Sequence, residues 1–368
     1  MGRPTRRETP ASDSVPIRIA VIPGDGIGGE VVAEAVSLAH DLRSEGHLRA
    51  ELEELDWGAE RLLATGRAVP GDGFDRLRTF DAILAGAFGD PRVPDGEYMR
   101  EILLGLRFQL DLFINMRPVR CMHERLNPLK TASADEIDMV IVRENTEGLY
   151  CGVGGLVHEH STDETALQEM VVTRRAVERI VRAAFEIAAS RPRCKVTLVD
   201  KANALPFAGR LWQKVFAEVA ASFPRAATEH LYADVAAMEM VRNPGRFDVI
   251  VTENLFGDLL SDLAAMLGGG LGLAASGNIH PGRVSMFEPV HGSAPDIAGT
   301  GTACPLAALG SFGLLLRHVR RDDLADALDG AIADTVVAGE VTPDLGGRCT
   351  TSEVGRAVRR RVLERLAA

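Results

Sequence analysis

The chain has 368 residues, 46% hydrophobic and 25% charged, enough for two domains or one large one with a sizeable core. Its net charge of −11 argues against nucleic acid or an anionic membrane as a partner, because neither attracts an acidic protein, while a local basic pocket still suits an anionic small substrate. Five cysteines (Cys121, Cys151, Cys194, Cys304 and Cys349) are few, odd in number and spread without metal-ligand spacing, which fits reduced thiols in a cytoplasm rather than a disulfide framework.

Residues 1–14 carry charge but no apolar core, so they read as a mobile tail and not a signal peptide. The run at 17–22 predicts a first strand, followed by a glycine turn and a helix over 29–42. Further strands are expected at 50–55, 81–86, 137–142, 195–199 and 248–251, most of them rich in β-branched residues. Helical patterns lie between them, over 173–190 and 209–222. Strand and helix in alternation predict an α/β fold with a largely parallel sheet. Residues 263–282 and 297–316 contain no Asp, Glu, Lys or Arg. Their glycines, with a Pro or His in each, make them buried elements of the core rather than membrane spans. There is no internal repeat and no low-complexity linker.

Gly24-Asp25-Gly26-Ile27-Gly28-Gly29 matches G-x-G-x-x-G between a strand and a helix, with acids following at Glu51 to Asp56. Two readings fit: a dinucleotide-binding turn, or a tight turn that packs a helix on a strand. Pro23 and Asp25 are awkward for cradling a pyrophosphate. A second pattern is Asp258 and Asp262, within Thr252-Glu-Asn-Leu-Phe-Gly-Asp-Leu-Leu-Ser-Asp-Leu263. Acids four apart on a helix share one face, which costs stability and suits a divalent metal. The neighbours Leu259, Leu260 and Leu263 argue against a merely solvated face.

Longer motifs follow in chain order. They are Ile22-Pro-Gly-Asp-Gly-Ile-Gly28 with Glu30; Leu106-Arg107-Phe108; Asp111-Leu-Phe-Ile-Asn-Met-Arg117-Pro118; and Val142-Arg143-Glu-Asn-Thr-Glu-Gly-Leu-Tyr150. Next come Val199-Asp-Lys201-Ala-Asn203, Tyr232-Ala-Asp234, Phe256-Gly-Asp258-Leu-Leu-Ser-Asp262 and Met286-Phe-Glu288-Pro-Val-His291-Gly-Ser-Ala-Pro-Asp296. Together they span nearly the whole chain and resemble the isocitrate/isopropylmalate dehydrogenases, the metal-dependent β-decarboxylating dehydrogenases.

The resemblance implies a two-domain fold with a large mixed, mostly parallel sheet that is not a Rossmann fold. It implies an outer domain of residues 1–112 plus 269–368, an inner domain of 113–268, and an arm near 151–168 exchanged in a homodimer. NAD is the implied cofactor, held by Ile22, Gly24, Glu288, His291, Gly292, Ser293, Ala294 and Asp296; residues 291–296 would form the adenosine loop, and the glycine turn at 24–28 would lie near the nicotinamide end. Asp296 can accept from both ribose hydroxyls and repels a 2′-phosphate, and the Lys-Tyr pair of NADP-using relatives is absent at Asp296-Ile297. Mg²⁺ or Mn²⁺ is implied at Asp258 and Asp262, with Asp234 from the partner subunit. Arg107, Arg117 and Arg143 would hold the substrate carboxylates, since guanidinium forks bind carboxylate in a bidentate way. Lys201, also from the partner, would take the proton of the substrate hydroxyl, and Tyr150 would protonate the enolate carbon.

The resemblance also bears on the substrate, a malate whose third substituent meets the helix before Arg107. Leu103 and Leu104 form an apolar wall there and favour 3-isopropylmalate, converted to 4-methyl-2-oxopentanoate in leucine biosynthesis. Arg100 stands where isopropylmalate enzymes usually carry Glu, and a cation there favours an anionic substituent. Asn145-Thr-Glu-Gly148 is wording commoner in isocitrate, homoisocitrate and tartrate relatives, and Cys304 replaces an Asn near the adenine. Homoisocitrate, isocitrate, phosphonomethylmalate, tartrate and D-malate therefore stay open as substrates. So do two different roles for the chain, a regulatory subunit without catalysis and a Rossmann dehydrogenase of another family.

Overall fold

Alternating apolar residues in the first strand serve two cores at once. In β1 (Ile17–Gly24), Ile19 and Val21 join one hydrophobic cluster, and Ala20 and Ile22 join another on the opposite face. A strand covered on both faces needs this pattern. The computed structural model describes residues 15–93 and 96–368; the N-terminal tail, expected to be mobile, lies outside the described residues.

After β1 come α1 (Gly28–Ser44), β2 (Ala50–Glu54), α2 (Ala59–Thr65), α3 (Gly73–Leu77), β3 (Ala82–Ala87) and α4 (Glu97–Gln109). The chain continues through β4 (Ile114–Arg120), β5 (Asp138–Glu144), β6 (Gly154–Val157), β7 (Thr165–Gln168), α5 (Arg174–Ala189) and β8 (Lys195–Asp200). Then follow α6 (Pro206–Ala220), β9 (Ala227–Tyr232), α7 (Ala233–Arg242), β10 (Val249–Thr252) and α8 (Asn254–Leu267). It closes with β11 (Ala275–Ile279), β12 (Ser285–Pro289), α9 (Leu306–His318), α10 (Asp322–Ala338) and α11 (Thr351–Ala367).

Ten strands form one sheet in the order β2-β1-β3-β12-β11-β4-β5-β10-β8-β9. Six of the nine pairings are parallel. The three antiparallel ones sit together at the centre, β12-β11, β11-β4 and β4-β5. The sheet is thus mixed and mostly parallel, and its order is not that of a Rossmann fold. Pro118 lies within β4 yet breaks no ladder on its second side, because β11 pairs β4 only over Ile114 to Met116.

Four clusters flank the sheet. One half, from β2 to β11, carries α1, α9, α10 and α11 on one face and α2, α3 and α4 on the other. The other half carries α5 and α6 on one face and α7 and α8 on the other. The charge-free stretch 297–316 is mostly α9, which is buried almost all round, and 263–282 spans the end of α8 and β11. Among the described residues no helix is long and apolar enough to cross a membrane. Every residue of the separate β6-β7 hairpin is exposed.

One neighbour of the acidic pair differs from expectation. Leu260 is buried, but Leu259 is 61% exposed. Positions 259 and 260 differ by about 100°, and the buried face of α8 takes in Leu260 but not Leu259.

Candidate active site

Helix α8 supplies one wall of the site. Asn254, Asp258, Ser261 and Asp262 fall four, seven and eight residues apart and share a face. Glu253 caps the helix by accepting from the Leu255 and Phe256 backbone N–H groups at 3.0 and 2.9 Å. β5 aims Arg143 at this wall. Its Nε and Nη2 donate to Asn254 Oδ1 at 2.9 and 2.6 Å, and its Nη1 pairs with Asp258. The side chain of Arg143 is only 1% exposed and fits because position 257 is glycine; a Cβ there would lie 2.6 Å from Arg143 Cγ.

β4 brings Arg117 to the same wall. Its Nη1 donates to Ser261 Oγ at 2.7 Å and to Asp262 Oδ1 at 3.0 Å, and its Nη2 lies 3.7 Å from Asp258 Oδ1. Tyr150 donates its hydroxyl to Asp258 Oδ2 at 3.2 Å, with the Arg143 guanidinium 5.6 Å from its ring centre. From the other half of the sheet, Arg107 on α4 reaches Glu288 Oε1 at 3.7 Å. Glu288 also accepts from Asn278, which in turn accepts from Asn115 and Asn145, each at 2.8 to 2.9 Å.

The arginines crowd one another. Burial, then Arg107, lowers Arg143 to about 10, and burial lowers Arg117 against the pull of Asp258 and Asp262. Arg143 stays charged at neutral pH. Among the described residues the Nε groups of Arg107 and Arg117 are buried without a partner. Buried guanidinium donors that these acids leave unused are a place for an anion. Burial, then Asp258, raises Tyr150 above the ordinary phenol value, so it is a protonated donor.

Lys201 and Asp234 lie elsewhere. Lys201 follows β8, Asp234 opens α7, and Lys201 Nζ lies 2.6 Å from Asp234 Oδ1. Among the described residues no hydrogen bond or ion pair joins them to the arginine cluster, and no three or more acids, histidines or cysteines gather as a metal site within one chain. Asp258 and Asp262 still suit a hard cation. Their side chains are open to solvent, and the Arg117 guanidinium spans them as a cation would.

The glycine turn is not an open phosphate cradle. The Ser293 carbonyl accepts from Ile27 N at 2.8 Å, and a Cβ on Gly26 would lie 2.1 Å from that oxygen. Gly26 serves close approach of the loop at 291–296, while Gly24 and Gly28 serve close approach of Ala87 and Pro23. In that loop His291 Nδ1 lies 3.0 Å from the Gly292 carbonyl, which can only accept, so Nδ1 carries the proton. Nε2 is then a buried acceptor without a partner, and burial keeps the ring neutral. Gly292 is exposed, Ala294 takes a left-handed φ of 37°, and Asp296 is exposed with no partner among the described residues. An acceptor and a free carboxylate on one loop fit an adenosine. Ile22 is fully buried and Gly24 is pressed against Ala87, so neither offers a side chain to a ligand.

On α4, Leu103 and Leu104 are half-buried; Leu103 packs on the adjoining core, and Leu104 joins no cluster. Arg100 is exposed and makes no ion pair among the described residues. The sequence reading missed Asn254, Ser261 and Asn278. The first two were findable, because they repeat the spacing of the acids on α8. Asn278 had no such signal.

The isocitrate/isopropylmalate dehydrogenase family model matches residues 18–358. A 3-isopropylmalate dehydrogenase of Thermobifida fusca is 47% identical over 95% of this chain and 98% of its own. One from Streptomyces coelicolor is 48% identical over 94% and 98%. Among solved structures, an isocitrate dehydrogenase from Methylococcus capsulatus superposes with a TM-score of 0.85 at 37% identity, covering 94% of this chain and 99% of the other. These matches along the whole length place the chain in the isocitrate/isopropylmalate dehydrogenase family, decarboxylating dehydrogenases that act on hydroxy acids with NAD and a divalent metal.

Proposed function

We propose that the protein oxidises and decarboxylates 3-isopropylmalate to 4-methyl-2-oxopentanoate, a step of leucine synthesis, in the cytoplasm. The observation that carries the substrate is the surface of α4. Leu104 is half-buried beside Arg107 and joins no core cluster, whereas the one cation that favours an anionic substituent, Arg100, is exposed. The names of the curated relatives support the same substrate.

In this reading Arg107, Arg117 and Arg143 bind the two malate carboxylates, and the unpaired Nε donors of Arg107 and Arg117 find acceptors. Asp258 and Asp262 hold the divalent ion, and the 291–296 loop holds NAD. When bound, the ion supplies Lewis acidity to the substrate oxygens and NAD⁺ accepts the hydride. Lys201 Nζ takes the hydroxyl proton, for which it must first be neutral. Tyr150 Oη returns one proton to carbon after CO₂ leaves. The substrate dianion and NAD⁺ thus become the oxo-acid anion, CO₂ and NADH, with no net proton change.

Lys201 and Asp234 reach this site from a second copy of the chain. Support comes from exposed apolar side chains beside them and on α8: Phe207 at 82%, Met238 at 62% and Leu259 at 61%. The exposed β6-β7 hairpin, inside the proposed arm, extends the same homodimer surface with Leu156 and Leu167. The four core clusters support an outer domain of 1–112 plus 269–368 and an inner domain of 113–268. Charge repulsion at Asp296 favours NAD over NADP.

Arg100→Glu tests the substrate. It should keep or improve NADH formation from 3-isopropylmalate. Wild type that barely turns over 3-isopropylmalate, yet loses its activity on homoisocitrate or phosphonomethylmalate through this change, would replace the alkyl reading with the anionic one.

A further inference from the structure

Asp25 is buried inside the glycine turn, and its carboxylate accepts three hydrogen bonds. Oδ1 takes Ala59 N at 2.8 Å; Oδ2 takes Gly89 N at 2.9 Å and the Tyr98 hydroxyl at 2.8 Å. Tyr98 is the second residue of α4 and is 3% exposed. Among the described residues the N-cap of this helix, Gly96, adds no side-chain capping bond at this end. The rest of its buried stripe is Ile102 and Leu106, and apolar packing is non-directional.

We propose that Tyr98 is a positioning residue for the reaction: its bond to Asp25 fixes the roll of α4, and with it Leu103, Leu104 and Arg107, relative to the glycine turn. This role rests on the substrate proposed above. At about 100° per residue, positions five, six and nine beyond Tyr98 lie on the far side of the helix. A helix is about 10 Å across with side chains, so a roll of about 6° about Tyr98 moves that side by about 1 Å. Burial, then Asp25, holds the Tyr98 phenol above its ordinary value, so it remains a donor throughout the working pH range. The same carboxylate is tied through Gly89 to the end of β3, and the Ser293 carbonyl binds the turn at Ile27. Substrate helix and cofactor loop therefore share one frame.

The test is Tyr98→Phe, which removes only the hydroxyl, in the full-length enzyme with saturating NAD and Mg²⁺. The expected result is a rise of about tenfold in KM for 3-isopropylmalate, equivalent to about 1.4 kcal/mol, with kcat within about twofold. A role confined to stability would lower the thermal midpoint and the active fraction, hence kcat, and leave KM fixed; that result overturns the proposal. Asp25→Ala, which leaves the Tyr98 hydroxyl no partner at 25, is the second variant. Adding Tyr98→Phe to it should raise KM no further, and additive effects would refute the coupling. Wild-type inactivity on 3-isopropylmalate would refute the substrate reading alone. The same KM comparison, made with whichever malate wild type oxidises best, then decides the role of Tyr98.

Discussion

Gly257→Ala sets two effects of similar size against each other, and the geometry decides which wins. Position 257 is inside α8, where alanine is favoured over glycine by roughly 0.5–1 kcal/mol. The new methyl would sit 2.6 Å from Arg143 Cγ and 2.7 Å from its Cβ. That is roughly 1 Å short of an ordinary carbon contact. Arg143 has no slack, because its guanidinium is held by Asn254 and Asp258. Overpacking of this kind costs about 1–3 kcal/mol, so the variant should be destabilised by up to about 2 kcal/mol. Activity should suffer more. Moving a guanidinium proposed to bind a substrate carboxylate by about 1 Å costs on the order of 100-fold in kcat/KM, or about 2.7 kcal/mol. The assay is NADH formation from 3-isopropylmalate beside a thermal melt. A variant with a raised melting point and wild-type kcat/KM would show that Arg143 does not lie against α8 as described.

Three further outcomes follow from the site and its surroundings. Asp258→Asn and Asp262→Asn should each weaken Mg²⁺ or Mn²⁺ binding by calorimetry and reduce turnover strongly; activity surviving EDTA dialysis without added metal would contradict this. Asp296→Lys with Ile297→Tyr should shift the kcat/KM ratio toward NADP, and wild type that uses both cofactors equally would defeat the ribose argument. Burial tends to raise Glu229, but Arg246 and Lys195 outweigh it and hold the carboxyl down to about 2. A depressed carboxyl stabilises the fold above its unfolded value, 4.5, and loses that contribution as pH falls toward 2. The difference in melting point between wild type and Glu229→Gln should therefore shrink from pH 5 downward, and a constant difference would refute the assignment.

What the sequence revealed is what local pattern encodes. The β-branched runs at 17–22 and 248–251 became β1 and β10 because a strand buried on both faces must be apolar throughout. Asp258 and Asp262 share a face because four residues make about one helical turn. Contacts between distant segments were not legible. Nothing local says that Asp25 receives Tyr98, 73 residues away, or that Asn278 joins Asn115 to Glu288. The G-x-G-x-x-G match could have served a pyrophosphate, and only the Ser293 carbonyl beside Gly26 shows what the glycines accommodate. Leu259, read as one of the leucines around the acids that argue against a solvated face, faces outward, where a second copy of the chain is proposed to lie.

The most direct measurement is product stoichiometry. The purified protein, with NAD, Mg²⁺ and a series of 3-substituted malates, should form NADH and CO₂ in equal amounts, with kcat/KM highest for 3-isopropylmalate. NADH without CO₂ would contradict the decarboxylating chemistry. A higher kcat/KM for homoisocitrate, isocitrate or phosphonomethylmalate would contradict the apolar pocket assigned to Leu103 and Leu104.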